Sequence, residues 1–292
     1  MAITLKREDI LVSTEWLAEH LNDSTIRIAD CRYYFDRSGR EEYERGHIPG
    51  AVYLDWRTEL TDAGNPVDFM MPPAEQVERT MSQIGVGDDT TLICYDDEGG
   101  HYSSRVWLTL ARYGKEANFR ILEGGWTKWT AEGRPTTTEV PEVSPVTFTI
   151  DQSAGHPELI ADIEEVRAAS DRGDAAIIDV RRWSEFTGEE VRAKHGGRIP
   201  NAKFLFWHGN LNWDDNRDFV STDDIRARHE AAGLELDQPV ITYCQGAVRA
   251  AHAAIAMLMA GYTNVRVYDG SWAEWGNRDD TPIETGEPEA EG

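Results

Sequence analysis

The sequence predicts an α/β protein built from two tandem domains, each a parallel sheet flanked by helices. Three observations predict it. The 292 residues amount to about two domains at roughly 150 residues each. Five short strings recur in the same order in both halves. Between them, short β-branched runs alternate with stretches whose apolar residues fall three and four apart, and strand–helix alternation builds a parallel sheet.

Taken in order, Asp30-Cys31-Arg32 returns as Asp179-Val180-Arg181, each after an apolar run, Ile26 to Ala29 and Ala175 to Ile178, that has the character of a strand. Glu41-Glu42-Tyr43 is echoed by Glu189-Glu190-Val191. His47-Ile48-Pro49-Gly50-Ala51 matches Arg198-Ile199-Pro200-Asn201-Ala202, and Trp56 falls on Trp207 at the same spacing. Leu92-Ile93-Cys94-Tyr95 matches Val240-Ile241-Thr242-Tyr243. Glu123-Gly124-Gly125-Trp126-x-x-Trp129 matches Asp269-Gly270-Ser271-Trp272-x-x-Trp275. Helical spacing marks Ser104 to Tyr113 and Val248 to Met259. These anchors predict a first domain over residues 1–135, a connector over 136–156 and a second domain over 157–292. The stretch Arg134 to Pro157 is proline-rich and aperiodic, with Val146 to Ile150 a candidate edge strand. The acidic Pro282 to Gly292 is expected to be a frayed tail.

Composition narrows the partners. With 53 acidic and 29 basic residues the net charge is -24, which repels phosphate backbones and anionic lipid surfaces, so nucleic-acid and membrane partners are excluded. An apolar content of 40% with 10 Trp supports packed cores rather than disorder, and the combination fits a protein adapted to high salt. Cys31, Cys94 and Cys244 are an odd number and far apart, without a C-x-x-C pair, which suggests neither a disulfide framework nor a zinc site; a reducing cytoplasm fits best. Met1 to Asp9 is charged with no apolar core after it, and no uncharged apolar run approaches the ~18 residues of a membrane helix. No cofactor or metal is expected. A repeat that pairs its own two domains needs no partner chain, so a monomer is expected.

A duplicated fold contains its own control, because positions shared by both halves are structural and a difference at a functional place marks the working copy. After the matched Tyr95 and Tyr243, the first half has Asp96-Asp97-Glu98-Gly99-Gly100. The second has Cys244-Gln245-Gly246-Ala247-Val248-Arg249, leading into the apolar helix Ala250 to Met259. In open parallel sheets ligands bind outside the C-terminal ends of strands. There the loop amides of Gln245, Gly246, Ala247, Val248 and Arg249, with the positive helix N-terminus, form an anion cradle that favours a thiolate at Cys244. Arg249 adds charge, either facing the substrate or bracing the loop. Cys31 and Cys94 lie inside apolar strands and align with Val180 and Thr242, as inert core residues do. The Asp30/Arg32 and Asp179/Arg181 pairs occur in both halves and are expected to be structural. His47 aligns with Arg198 as a loop brace, and the Trp pairs, spaced i, i+3, are expected to pack in the core.

The strings Asp179-Val180-Arg181, Arg198-Ile199-Pro200, Cys244-x-x-x-x-Arg249 and Asp269-Gly270-Ser271-Trp272 resemble the tandem rhodanese-like sulfurtransferases, over nearly the whole chain. The resemblance implies two rhodanese-like domains with the site at their interface, a silent first domain with Asp96 in place of Cys, and a C-terminal Cys244 that cycles between thiolate and persulfide. Its implied substrates are a small sulfur donor and a thiophilic acceptor, cyanide or a thiol, the latter a thiol protein or a low-molecular-weight thiol. The 3-mercaptopyruvate enzymes of the family resemble one another in a loop Ser and a His from the first domain; here Gly246 and Phe69 stand at those places. Glu185 stands where the family has a substrate-binding Arg. These departures favour thiosulfate, with 3-mercaptopyruvate the alternative donor. Two further readings are a cysteine phosphatase, although such enzymes resemble Cys-x5-Arg where this loop has four intervening residues, and a non-catalytic binding pair, which the presence of Cys244 opposes. The resemblance also sets Tyr33-Tyr34-Phe35 and His101-Tyr102 on the wall facing the second-half Cys. Tyr34, Tyr102 and Trp183 are the pocket candidates.

Overall fold

The computed structural model describes residue 3 and residues 5–288. Two five-stranded sheets form, and every strand pairing in them is parallel. The first contains β1 (Leu11–Val12), β2 (Ile26–Asp30), β3 (Val52–Tyr53), β4 (Thr91–Tyr95) and β5 (Phe119–Leu122), in the order β1-β5-β4-β2-β3. The second contains β6 (Ile160–Ala161), β7 (Ala176–Asp179), β8 (Lys203–Phe204), β9 (Val240–Tyr243) and β10 (Val265–Tyr268), in the equivalent order β6-β10-β9-β7-β8. Helices cover both faces, which is why β7 and β9 are buried at every residue and need no polar alternation. Among the described residues no helix is long and apolar enough to cross a membrane.

The repeated strings turn out to be one buried network built twice. Arg32 pairs with Asp30 at 2.6 Å, donates to the Gly46 carbonyl at 2.7 Å and lies over the Trp126 ring, while the Tyr95 hydroxyl donates to Asp30 at 2.6 Å. Arg181, Asp179, Gly197, Trp272 and Tyr243 repeat these contacts. Each ion pair ties a strand end to the loop after it and is screened from water, so it is a structural part of the repeat. Cys31 and Cys94 are fully buried in the first core, and burial pushes the Cys31 thiol up.

One matched string is a coincidence of sequence. Glu41 to Tyr43 lie in the helix Gly39–Arg45, but Glu189 to Val191 lie in an irregular segment where Val191 is exposed. The structural counterpart of Tyr43 is Phe186, in the helix Trp183–Thr187: Tyr43 stacks on His47 at 3.9 Å and Arg198 covers Phe186 at 4.6 Å. Between Phe186 and Arg198 the second half carries extra residues that form a loop, which displaced the sequence match.

Two further expectations need correction. The described part of the predicted tail, Pro282 to Pro288, is docked at its start: Trp275 Nε1 donates to the Pro282 carbonyl at 2.9 Å and Glu284 bridges Arg198. The first half does the same with Trp129 and Pro135, and with His47 and Thr137, so this segment closes the repeat rather than fraying. Residues 289–292 lie outside the described residues. In the connector, Val146 to Ile150 form no edge strand. Their amides go instead to the Ser82 carbonyl, Asp88 and Glu78, and Phe148 is buried, so the connector is strapped along the first domain.

The halves are joined by packing of the helix His101–Arg112 on the helix Val248–Met259, within an apolar cluster that draws on both. A buried ion pair crosses the junction. Arg105 donates to Asp269 at 2.6 Å and also to the Phe69 carbonyl, and Asp269 accepts the Met71 amide at 2.8 Å.

Candidate active site

Cys244 follows the last residue of β9, at the C-terminal edge of the second sheet, and its loop feeds the helix Val248–Met259. Ala247 holds the helix start at φ 59°, in the left-handed region. The loop carbonyls of Cys244 and Gln245 are turned back to accept the amides of Trp272 and Ala273. The Ser271 hydroxyl accepts the Cys244 and Ala247 amides at 3.2 and 3.1 Å. Of the five amides from Gln245 to Arg249, four, those of Gln245, Gly246, Val248 and Arg249, make no hydrogen bond among the described residues. The cradle is therefore one donor smaller than expected, because Ala247 spends its amide on Ser271.

The first half demonstrates what such a turn holds. Asp96 puts a carboxylate into its own loop, accepting the amides of Glu98, Gly100, Tyr102 and Ser103, each at 2.9 Å, and the Ser103 hydroxyl at 2.9 Å. The same kind of turn with a thiol in place of the carboxylate leaves donors free for an external anion.

Arg249 is a brace. Its two terminal nitrogens form a bidentate pair with Glu185, at 2.7 and 2.9 Å. Burial by itself would raise the Glu185 carboxyl, but the hydrogen bonds and charge of Arg249 outweigh it and hold the group down at about 2. Arg249 in turn is kept charged against burial by Glu185 and by Cys244 beside it. Glu185 also accepts the Arg182 amide at 3.1 Å and lies 3.4 Å from Arg192. A carboxylate at this place is thus matched by an arginine in the loop.

Cys244 lines a cavity of about 350 Å³ at the junction of the two halves, together with Gln245, Gly246, Val248 and Arg249. Tyr34 and Tyr102 line it as expected. The Tyr34 hydroxyl is fixed to Asp97 at 2.6 Å, and Tyr102 stacks on Trp56. Trp183 does not line it: its ring packs on Phe186 and Phe204, because the short helix turns it to the outer side. Ala247 is buried behind the loop and does not line it either.

Sequence reasoning missed most of the second-half wall, which is Phe206, Trp207, His208 and Trp213, and the cations Arg182 and Arg192. The Trp56/Trp207 match was a usable signal, since both copies face the cavity. Arg192 comes from the loop inserted before Arg198, and its carbonyl accepts the Gln245 side-chain amide at 3.1 Å. Phe69 has φ 66°, unusual for an aromatic residue, and is held there by Arg105 on its carbonyl. Its ring lies so close to Gly246 that a Cβ there would sit 2.5 Å from Phe69 Cδ2, which accounts for a glycine in the loop. Among the described residues no group of acidic, His and Cys side chains could hold a metal ion.

Comparison with known proteins decides the family. The model of the rhodanese-like domain matches twice, over residues 13–132 and 162–278. The chain belongs to the rhodanese-like family. Among its curated rhodanese-like relatives, a sulfur carrier protein, TtuD, from Thermus thermophilus is 33% identical over 96% of this chain and 98% of its own. A thiosulfate sulfurtransferase from Azotobacter vinelandii is 35% identical over 85% of this chain and 89% of its own. Of solved structures, the crystal structure of SseA, a 3-mercaptopyruvate sulfotransferase from Escherichia coli, superposes with a TM-score of 0.80 at 32% identity, covering 90% of this chain and 98% of that one. Two tandem rhodanese domains thus account for both sheets.

Proposed function

We propose that this rhodanese-like protein is a sulfurtransferase that takes sulfane sulfur from thiosulfate onto Cys244 and passes it to cyanide or a thiol. The observation that carries this reading is a thiol set at a turn whose four free amides face no partner of their own. In the first half-reaction the Cys244 thiolate attacks the outer sulfur of thiosulfate. The S–S bond of the donor breaks, sulfite leaves with its electron pair, and the charge left on the persulfide stays within reach of the amides. In the second, the acceptor forms a bond to the outer sulfur and the thiolate is released.

Thiosulfate is favoured over 3-mercaptopyruvate by the floor of the cavity. Phe69 and Gly246 stand at the places where the mercaptopyruvate enzymes of the family carry a His and a loop Ser, so that pair is not available to protonate an enolate leaving group. The cations at the cavity wall with the looser pairing are Arg182, 3.9 Å from Glu190, and Arg192, 3.4 Å from Glu185, whereas the Arg249 guanidinium is engaged with Glu185 in a bidentate pair. The same engagement argues against phosphatase chemistry, which needs that guanidinium on the phosphoryl oxygens. Intact mass of the reduced protein should rise by one sulfur atom on exposure to thiosulfate, with kcat/KM for thiosulfate above that for 3-mercaptopyruvate. The opposite order would assign the mercaptopyruvate reaction.

A cytoplasmic, monomeric enzyme adapted to salt completes the proposal. The observation that supports its adaptation to salt is the net charge of -24, whose self-repulsion is screened within about 3 Å at 1 M salt. Its thermal midpoint is expected to rise steadily from low to molar potassium chloride. A midpoint independent of salt would remove the adaptation from the proposal.

A further inference from the structure

His101 and Glu98 come from the half whose nucleophile position is taken by Asp96, yet both line the cavity that holds Cys244. The His101 ring is clamped between Tyr102 and Trp207, with centroids 4.5 and 4.6 Å away, and only 9% of the residue is exposed. Its Nδ1 lies 3.1 Å from Glu98 Oε2, and its Nε2 is buried without a hydrogen-bond partner among the described residues. A buried ring nitrogen left unsatisfied at a cavity wall is costly in a folded protein and needs a reason. A carboxylate on Nδ1 selects the tautomer with the proton there, which leaves a lone pair on Nε2. Glu98 is itself held as a carboxylate: burial would raise it, but the hydrogen bond to His101 and the neighbouring positive charge, that of Arg217 included, together outweigh that. The other titratable or charged groups facing His101 are Tyr102 on its own helix, His208, and His252 on the helix packed against it. Arg217 lies beyond Glu98.

We infer that Glu98 and His101 form a base dyad that deprotonates a thiol acceptor in the second half-reaction. The proposal rests on Cys244 being the sulfur carrier. An acceptor thiol is mostly protonated at neutral pH and attacks poorly in that form. His101 Nε2 takes its proton. The sulfur electron pair then forms a bond to the outer sulfur of the Cys244 persulfide, the old S–S bond breaks with its pair going to Cys244 as thiolate, and the acceptor leaves as a persulfide anion. No electrons are gained or lost overall, and the proton later passes to solvent. Sulfite, largely ionised at neutral pH, needs no such base. The first domain is thereby assigned a task despite lacking a cysteine at its nucleophile position: it supplies the proton acceptor for thiols.

The test uses the full chain, loaded with thiosulfate and freed of excess donor, and follows loss of the persulfide by intact mass in single turnover. Two acceptors are compared, dithiothreitol and sulfite. His101→Gln, once loaded, is expected to lose far less of its discharge rate to sulfite than of its discharge rate to dithiothreitol. Its discharge to dithiothreitol at pH 7 is expected to slow by about 100-fold, the lower range of general base catalysis. Glu98→Gln should show the same selectivity with a smaller loss. The deficit of both variants should shrink as pH rises and the thiol arrives already ionised. Equal slowing with both acceptors, or a deficit that persists at high pH, would mean that the dyad only supports the wall and would overturn the proposal. Failure of the parent to load sulfur is a separate result, seen before any variant is compared, and it removes the Cys244 reading along with the dyad.

Discussion

Cys244→Ser is expected to take up no sulfur from thiosulfate and to lose turnover on the order of 10⁴-fold or more, as removal of a catalytic nucleophile does. Its fold should be unchanged, because oxygen replaces sulfur at a position that is only 1% exposed and the loop is held by backbone contacts to Ser271, Trp272 and Ala273. Far-ultraviolet circular dichroism and a thermal melt check that half of the expectation; intact mass and a thiocyanate assay check the other. The first half provides the complementary control. Asp96→Cys should not create a second sulfur carrier, since that loop is built around a carboxylate with five donors on it. The variant should instead lose stability, at about 1–3 kcal/mol for each buried donor left unpaired. Undiminished turnover of the Ser variant would dispose of the sulfur-carrier reading.

Glu185→Gln is expected to cost about 3–5 kcal/mol of folding free energy, because it leaves the Arg249 guanidinium buried beside an uncharged partner. Activity should fall with it, since Arg249 anchors the first turn of the helix that carries the cradle. The pH dependence has a definite sign. The folded-state value of the Glu185 carboxyl, about 2, lies below its ordinary 4.5. The carboxylate therefore contributes its full stabilisation above pH 4.5, and that contribution is lost as pH falls toward 2. Urea unfolding from pH 7 down to pH 2 should show this loss in the parent and a flatter dependence over the same window in Glu185→Gln. Parallel curves, or a destabilisation under 1 kcal/mol, would show that the pair contributes little to the loop.

How much was legible in the sequence follows from how far apart the interacting groups lie along the chain. The Asp-x-Arg and Gly-x-Trp strings, the alternation of strand and helix, and the exchange of Asp96 for Cys244 each involve a few neighbouring residues whose backbone and spacing fix their own surroundings. These determined two parallel sheets and a thiol at a strand end. Contacts between segments tens of residues apart were not legible. They include Glu185 on Arg249, Arg105 on Asp269 and Phe69, and the Phe206 to Trp213 wall. Insertion also misled, since the loop before Arg198 shifted the repeat so that Glu189 to Val191 stood in for Glu185-Phe186. Trp183 was misplaced because a helix of five residues has no periodicity from which to read its facing.

The sequence by itself thus determined the duplicated architecture and the place of a thiol at the strand end, because both are written in local patterns repeated or broken once. Only the tertiary structure decided that Arg249 is neutralised within the loop, that Ser271 takes two of its amides, and that Glu98 and His101 cross from the first half to the cavity of the second. Those outcomes depend on where two separately folded sheets dock and which buried charges must then find partners, and neither is set by spacing along the chain.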